Sequence, residues 1–127
     1  MTDPIVPTAD PRELLAGLPA DQPVVMINLL KFKPDGGVAH YERYAEEVVP
    51  HMQAVNAVLL FAGNAKVSLI GQTEPPWWDT ILVVEYPTPS AFLEMIGSEA
   101  YLKVHEHRAA GVERAELIAT NAGLGGG

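Results

Sequence analysis

Apolar positions recur along the chain with two different periods, and each period predicts its own element. Val24–Phe32, read VVMINLLKF, is apolar at both parities, which predicts a central strand covered on both faces. Residues 80–86 repeat the pattern, with Leu82 and Val84 on one side and Ile81 and Val83 on the other. Between these two segments, Val38, Tyr41, Ala45, Val48, Met52 and Val55 follow helical spacing and predict the first long helix. Pro50 lies inside that stripe, where it removes a backbone donor, so a kink or an early end near Val49 is expected. Residues 57–71 read as a long, bent second strand, interrupted at Gly63-Asn64 by a bulge or tight turn.

Local signals place the remaining boundaries. Asp10-Pro11-Arg12-Glu13 supplies a cap, a proline at the first helical position and an early acid, which predicts a short helix ending near Gly17. Pro34-Asp35-Gly36-Gly37 breaks the first strand. Thr88-Pro89 opens a second crossover helix, which Gly97-Ser98 interrupts and recaps, and Gly111 closes it before a last strand over residues 112–120. Strand, helix, strand, strand, helix, strand is the order of the ferredoxin-like α+β fold, here with an extra N-terminal helix. The expected organisation is an arm with a short helix over residues 1–22, a βαββαβ domain with a four-stranded antiparallel sheet over 23–120, and a flexible tail over 121–127.

Helices cover one face of such a sheet. Strands that are apolar on the other face as well need a second cover, and a partner sheet from another subunit supplies one. Composition agrees: 48% of residues are hydrophobic and only 19% charged. Sixteen acidic against eight basic side chains give a net charge of −8, which opposes binding to nucleic acid and to anionic membrane surfaces. The absence of cysteine removes disulfides, thiolate metal sites and a cysteine nucleophile, and fits a cytoplasmic protein. The acidic, proline-broken start is not a secretory signal, and no apolar run is long enough to cross a bilayer.

Several short segments carry a resemblance. They are Asn28-Leu29-Leu30-Lys31-Phe32, Tyr41 and Tyr44, Leu69-Ile70-Gly71 closing the second strand, Trp78-Asp79, Val84-Glu85-Tyr86-Pro87, Phe92, Tyr101 and His107-Arg108. Together they resemble the domain of unknown function 1330 (DUF1330) family of the dimeric α+β barrel superfamily, over about residues 23–120. The resemblance implies a homodimer in which two four-stranded sheets face each other with the helices outside. It implies no agreed activity.

Five residues are candidates for a pocket between sheet and helices: Asn28, Tyr44, Trp78, His107 and Arg108. Asn28 is the uncharged polar side chain of an apolar strand, and a buried amide needs its hydrogen bonds made. It is either bonded to neighbouring structure or offered to a ligand carbonyl. Trp78 either walls a pocket or packs at an interface. His107-Arg108 either binds an anionic group or complements the negative end of its helix. Tyr44 points into the sheet–helix space or lies half-exposed on the helix flank.

None of the four histidines forms an i, i+4 chelating pair, so no metal is expected, and no motif implies a cofactor. Three functions stay open. The first is an uncharacterised dimer binding a small aromatic or carbonyl-containing molecule. The second is an enzyme like the cofactor-independent monooxygenases of the same superfamily, and the third a non-catalytic structural or interaction dimer.

Overall fold

A computed structural model describes residues 7, 9–71 and 73–123. It contains α1 (Pro11–Leu15), β1 (Val24–Phe32), α2 (Gly37–Ala54), β2 (Val58–Asn64), β3 (Thr80–Tyr86), α3 (Pro89–Ile96), α4 (Glu99–Gly111) and β4 (Val112–Thr120). Of the first nine residues of the expected arm only Pro7 and Ala9 are described, and of the tail only residues 121–123; the rest lies outside the described residues.

The strands form one antiparallel sheet in the order β2-β3-β1-β4, the ferredoxin-like arrangement. Capping follows the sequence. Asp10 accepts from Arg12 N, Thr88 from Ala91 N and Ser98 from Tyr101 N, each satisfying a donor that a helix start leaves free. The break before α2 needs a glycine at Gly36, which sits at φ 77°, in the left-handed region.

Register assigns each strand residue to a face. Met26 stands opposite Val84 and Ala119, and Asn28 opposite Leu82 and Leu117. This parity faces the helices: Val24, Met26, Val84 and Tyr86 join Val48 and Phe92 in one buried core. The opposite parity carries Val25, Ile27 and Leu29 of β1 beside Ile81 and Val83 of β3, and none of these belongs to that core. Toward the edges the same outer face presents Phe61, 58% exposed, and Ile118, 46% exposed. Among the described residues, this apolar face has no helix side chains packed into it as the inner core does.

Two expectations are corrected. Of the kink or early end expected near Val49, the early end does not occur: α2 runs through Pro50 to Ala54. Pro50 is exposed, so the carbonyl that loses its donor there can turn to water. The second strand ends at Asn64 rather than continuing to residue 71, and its irregularity falls between Leu59 and Phe61 rather than at Gly63-Asn64. Asn64 pairs with Thr80, the first residue of β3; past it Ala65 N still donates to Asp79 O at 2.8 Å, but Asp79 precedes β3, so the strand pairing ends there. Leu69 and Ile70 consequently lie in an exposed loop instead of closing a strand.

The start of α2 and the end of α4 meet with almost no side chain between them. A Cβ at Gly111 would stand 2.5 Å from the Gly37 carbonyl oxygen, and one at Gly37 would stand 2.6 Å from the Gly111 carbonyl oxygen. The Gly111 carbonyl also accepts from Lys33 N at 2.9 Å, which ties the end of α4 to the end of β1. Gly111→Ala is therefore expected to lower stability by about 1–3 kcal/mol, because neither backbone can retreat without losing bonds. Gly17→Ala, with open space around it, is the control. Urea unfolding midpoints check this: equal midpoints for the two variants would refute the close-approach account.

Candidate functional site

The inner face of the sheet does not close completely on the helices. Between them lies a cavity of about 600 Å³, within the range of small-molecule sites, walled largely by Met26, Leu82, Val84, Val48, Phe92 and Met95. Into these apolar walls the fold sets a small polar group: Asn28 from β1, Tyr41 and Tyr44 from α2, Tyr86 from β3, and Tyr101, His105 and Arg108 from α4. All four tyrosines of the chain line it.

Helical spacing explains the grouping. Tyr101, His105 and Arg108 are separated by four and then three residues, so they form one stripe of α4. Tyr41, Tyr44 and Val48 do the same on α2. The inward face of α4 is thus polar and aromatic where a plain core helix would show leucine or valine. Asn28 reaches the cavity by strand parity, flanked across the ladder by Leu82 and Leu117. Among the described residues no hydrogen bond to the Asn28 side chain is present, leaving its amide free to meet a ligand.

The phenols form a connected cluster. The Tyr44 and Tyr101 hydroxyls are 2.9 Å apart and buried, one donating to the other. The Tyr41 and Tyr44 rings lie 5.3 Å apart between centroids, and Tyr101 meets His105 edge-on at 5.9 Å. Burial pushes the Tyr41 phenol up to about 12, with the positive charge of Arg108 opposing the shift and the Tyr101 phenol adding to it. Burial likewise holds Tyr44 well above the ordinary tyrosine value, reinforced by Tyr101, and raises Tyr86. These three are neutral at physiological pH. They can donate hydrogen bonds, but they are not phenolate bases.

Asn28, Tyr44 and Arg108 therefore come together at one cavity, and His107 and Trp78 do not line it. His107 is two residues from His105, on another side of α4, and its Nε2 lies 2.8 Å from Glu47 Oε2 of α2. Trp78 is half-buried in the loop before β3. Its neighbour Trp77 lies beneath the Arg114 guanidinium, 4.0 Å from the ring centroid, and Asp79 accepts from Phe32 N at 2.9 Å to close the end of β1.

Tyr86, Tyr101 and His105 are not among the pocket candidates that the sequence suggests, although Tyr86 and Tyr101 are among the residues that carry the family resemblance. The signal was present as the i, i+4, i+7 spacing of Tyr101, His105 and Arg108, and as the shared parity of Tyr86 with Leu82 and Val84. Among the described residues no three potential metal ligands cluster, and no helix is long and apolar enough to cross a membrane.

Comparison with known proteins places this geometry. The family described as a domain of unknown function (DUF1330) matches residues 37–122, from the first residue of α2 past the end of β4. RPA0582, a protein of unknown function from Rhodopseudomonas palustris, is 27% identical, with a TM-score of 0.84 over 98% of this chain and 100% of that one. A dimeric protein of unknown function and ferredoxin-like fold from Bacteroides fragilis is 12% identical, with a TM-score of 0.54 over 79% of this chain and 96% of that chain. SnoaB, a cofactor-independent oxygenase from Streptomyces nogalater, is also 12% identical, with a TM-score of 0.57 over 82% of this chain and 96% of that chain. At such identity the last two likenesses show the fold alone. No curated protein matches the chain.

The raised Tyr41 value has a consequence for alkaline stability. Below about pH 10 the phenol keeps its proton in both states; between about 10 and 12 the unfolded chain loses it while the folded chain holds it, so stability falls across that window. Tyr41→Phe removes this contribution. The unfolding free energy, followed by urea titration from neutral pH to pH 12, is expected to fall less steeply in the variant; parallel curves would contradict the assignment.

Proposed function

The chain belongs to the DUF1330 family, and on that premise we propose that it binds a small aromatic or carbonyl-containing molecule in the sheet–helix cavity, as a homodimer. The observation that carries this reading is the Asn28 amide, directed into an apolar cavity lined by four tyrosines and without a hydrogen-bond partner among the described residues. An amide in that position donates to a ligand carbonyl or accepts from a ligand hydroxyl, and the neutral phenols add donors around it. Aromatic walls suit a planar ligand. Of the residues expected at the site, Asn28, Tyr44 and Arg108 are the ones assigned to binding; Trp78 and His107 are assigned to packing and to the α2–α4 surface pair.

The dimer rests on the outer sheet face. Val25, Ile27, Leu29, Ile81 and Val83 form an apolar surface that a second copy would cover with its own, in a symmetric, self-complementary contact. The Bacteroides fragilis protein of the same fold is described as dimeric, which supports the arrangement. A cytoplasmic setting fits a chain without cysteine.

Thermal-shift measurements with a panel of aromatic aldehydes, ketones and quinones test the binding role. A ligand present at about 100 times its dissociation constant adds roughly 2.7 kcal/mol of apparent stability. Asn28→Ala is expected to weaken the best compound about tenfold, the loss of one well-made hydrogen bond in a dry site. The reading fails if no compound shifts the midpoint, or if Asn28→Ala binds the hit as tightly as the wild type. Oxygen consumption with a bound compound would instead favour the enzymatic alternative.

Association has a separate signature. If folding and dimerisation are linked, the thermal midpoint rises with protein concentration. Phe61→Glu combined with Ile118→Glu, two exposed outer-face positions, should abolish that dependence, and a dependence left unchanged would place the interface elsewhere.

A further inference from the structure

The chain has four arginines, and three of them keep an acid close by. Arg12 pairs with Asp10 at 3.1 Å, Arg43 with Glu47 at 3.9 Å and Arg114 with Glu116 at 3.8 Å, all with largely exposed guanidinium groups. Arg108 is different. It is only 8% exposed, it lines the cavity, and among the described residues no carboxylate pairs with it. This holds in a chain with twice as many acids as bases, where a partner would be easy to supply. What faces the guanidinium is the phenol group: the Tyr41 hydroxyl lies within interaction distance, and the charges of Tyr44 and Tyr86, were they ionised, would feel it.

A guanidinium keeps its charge wherever it is placed, and a buried charge without a counter-charge is costly to maintain. A ligand can supply the missing anion. Resting on the cavity-binding reading above, we propose that the occupant is a small aromatic monocarboxylic acid whose carboxylate is received by Arg108, with the Tyr41 and Tyr44 phenols as flanking donors and the Asn28 amide on the body of the ligand. The planar fork of donors on arginine matches a carboxylate in two parallel hydrogen bonds. Among the described residues Arg108 is the only arginine or lysine lining the cavity, so its guanidinium balances one negative charge. A phosphate dianion would leave its second charge to the phenols, the Asn28 amide and the His105 imidazole, with no second guanidinium or ammonium among the described lining residues.

Isothermal titration of the full chain at neutral pH with naphthoate, naphthamide and naphthyl phosphate separates the possibilities, since the three share one aromatic body. Naphthoate is expected to bind at least about tenfold more tightly than naphthamide, and more tightly than the phosphate. Arg108→Gln should erase the advantage of naphthoate while leaving naphthamide affinity nearly unchanged. Arg108→Lys, which keeps the charge but not the fork, should restore part of it. Equal binding of naphthoate and naphthamide to the wild type would overturn the carboxylate assignment and leave the cavity reading standing. Tightest binding of naphthyl phosphate would overturn the single-charge argument, and failure of all three to bind would count against the cavity reading itself. The wild-type comparison decides even if the buried substitutions do not fold.

Discussion

The rest of the structure depends on β1 being apolar on both of its faces. Its nine residues alternate Val24, Met26 and Leu30 toward the helices with Val25, Ile27 and Leu29 toward the other side, and β3 repeats the alternation beside it. A strand of this kind gains little if either face is left in water, because burial of apolar area is the main favourable contribution. The helices satisfy one face. The outer face, continuing to the exposed Phe61 and Ile118, requires a cover that the described residues do not provide. Fold and proposed assembly thus follow from one pattern.

The inner layer is the one in which stability gives way to a site. A core packed to ordinary density would fill the space between β1, α2 and α4 with leucine and valine. Here α4 turns Tyr101, His105 and Arg108 inward, and α2 answers with Tyr41 and Tyr44. The Tyr44–Tyr101 hydroxyl pair satisfies one pair of buried polar groups internally. Asn28 and Arg108 are left with capacity to spare, and the cavity sits between them. The close Gly37–Gly111 contact brings the start of α2 and the end of α4 together at one end.

Much of this is legible in the amino-acid sequence. Double apolar parity marked β1 and β3, the cap-then-proline pairs at Asp10-Pro11 and Thr88-Pro89 marked helix starts, and Gly97-Ser98 marked the break between α3 and α4. Those signals are local, and local chemistry decides them. The end of β2 was not legible, because a strand stops where its neighbour stops, and the partner of Asn64 is set by tertiary register. Pro50 misled for a similar reason: whether a proline breaks a helix depends on whether the freed carbonyl finds water. The site was half legible. Asn28 stood out as a polar residue in an apolar strand, but which imidazole of α4 faces inward depends on the rotation of that helix. The spacing from Arg108 selects His105, whereas the candidate named from the sequence is the adjacent pair His107-Arg108.

Sedimentation equilibrium of the unmodified chain over a range of micromolar concentrations tests the two-layer account most directly. The account predicts a particle of twice the 13.7 kDa chain mass, because the outer face of the sheet is covered only by a second copy. A stable, well-folded monomer across that range would contradict it, showing that a sheet apolar on both faces can stand with one of them in water.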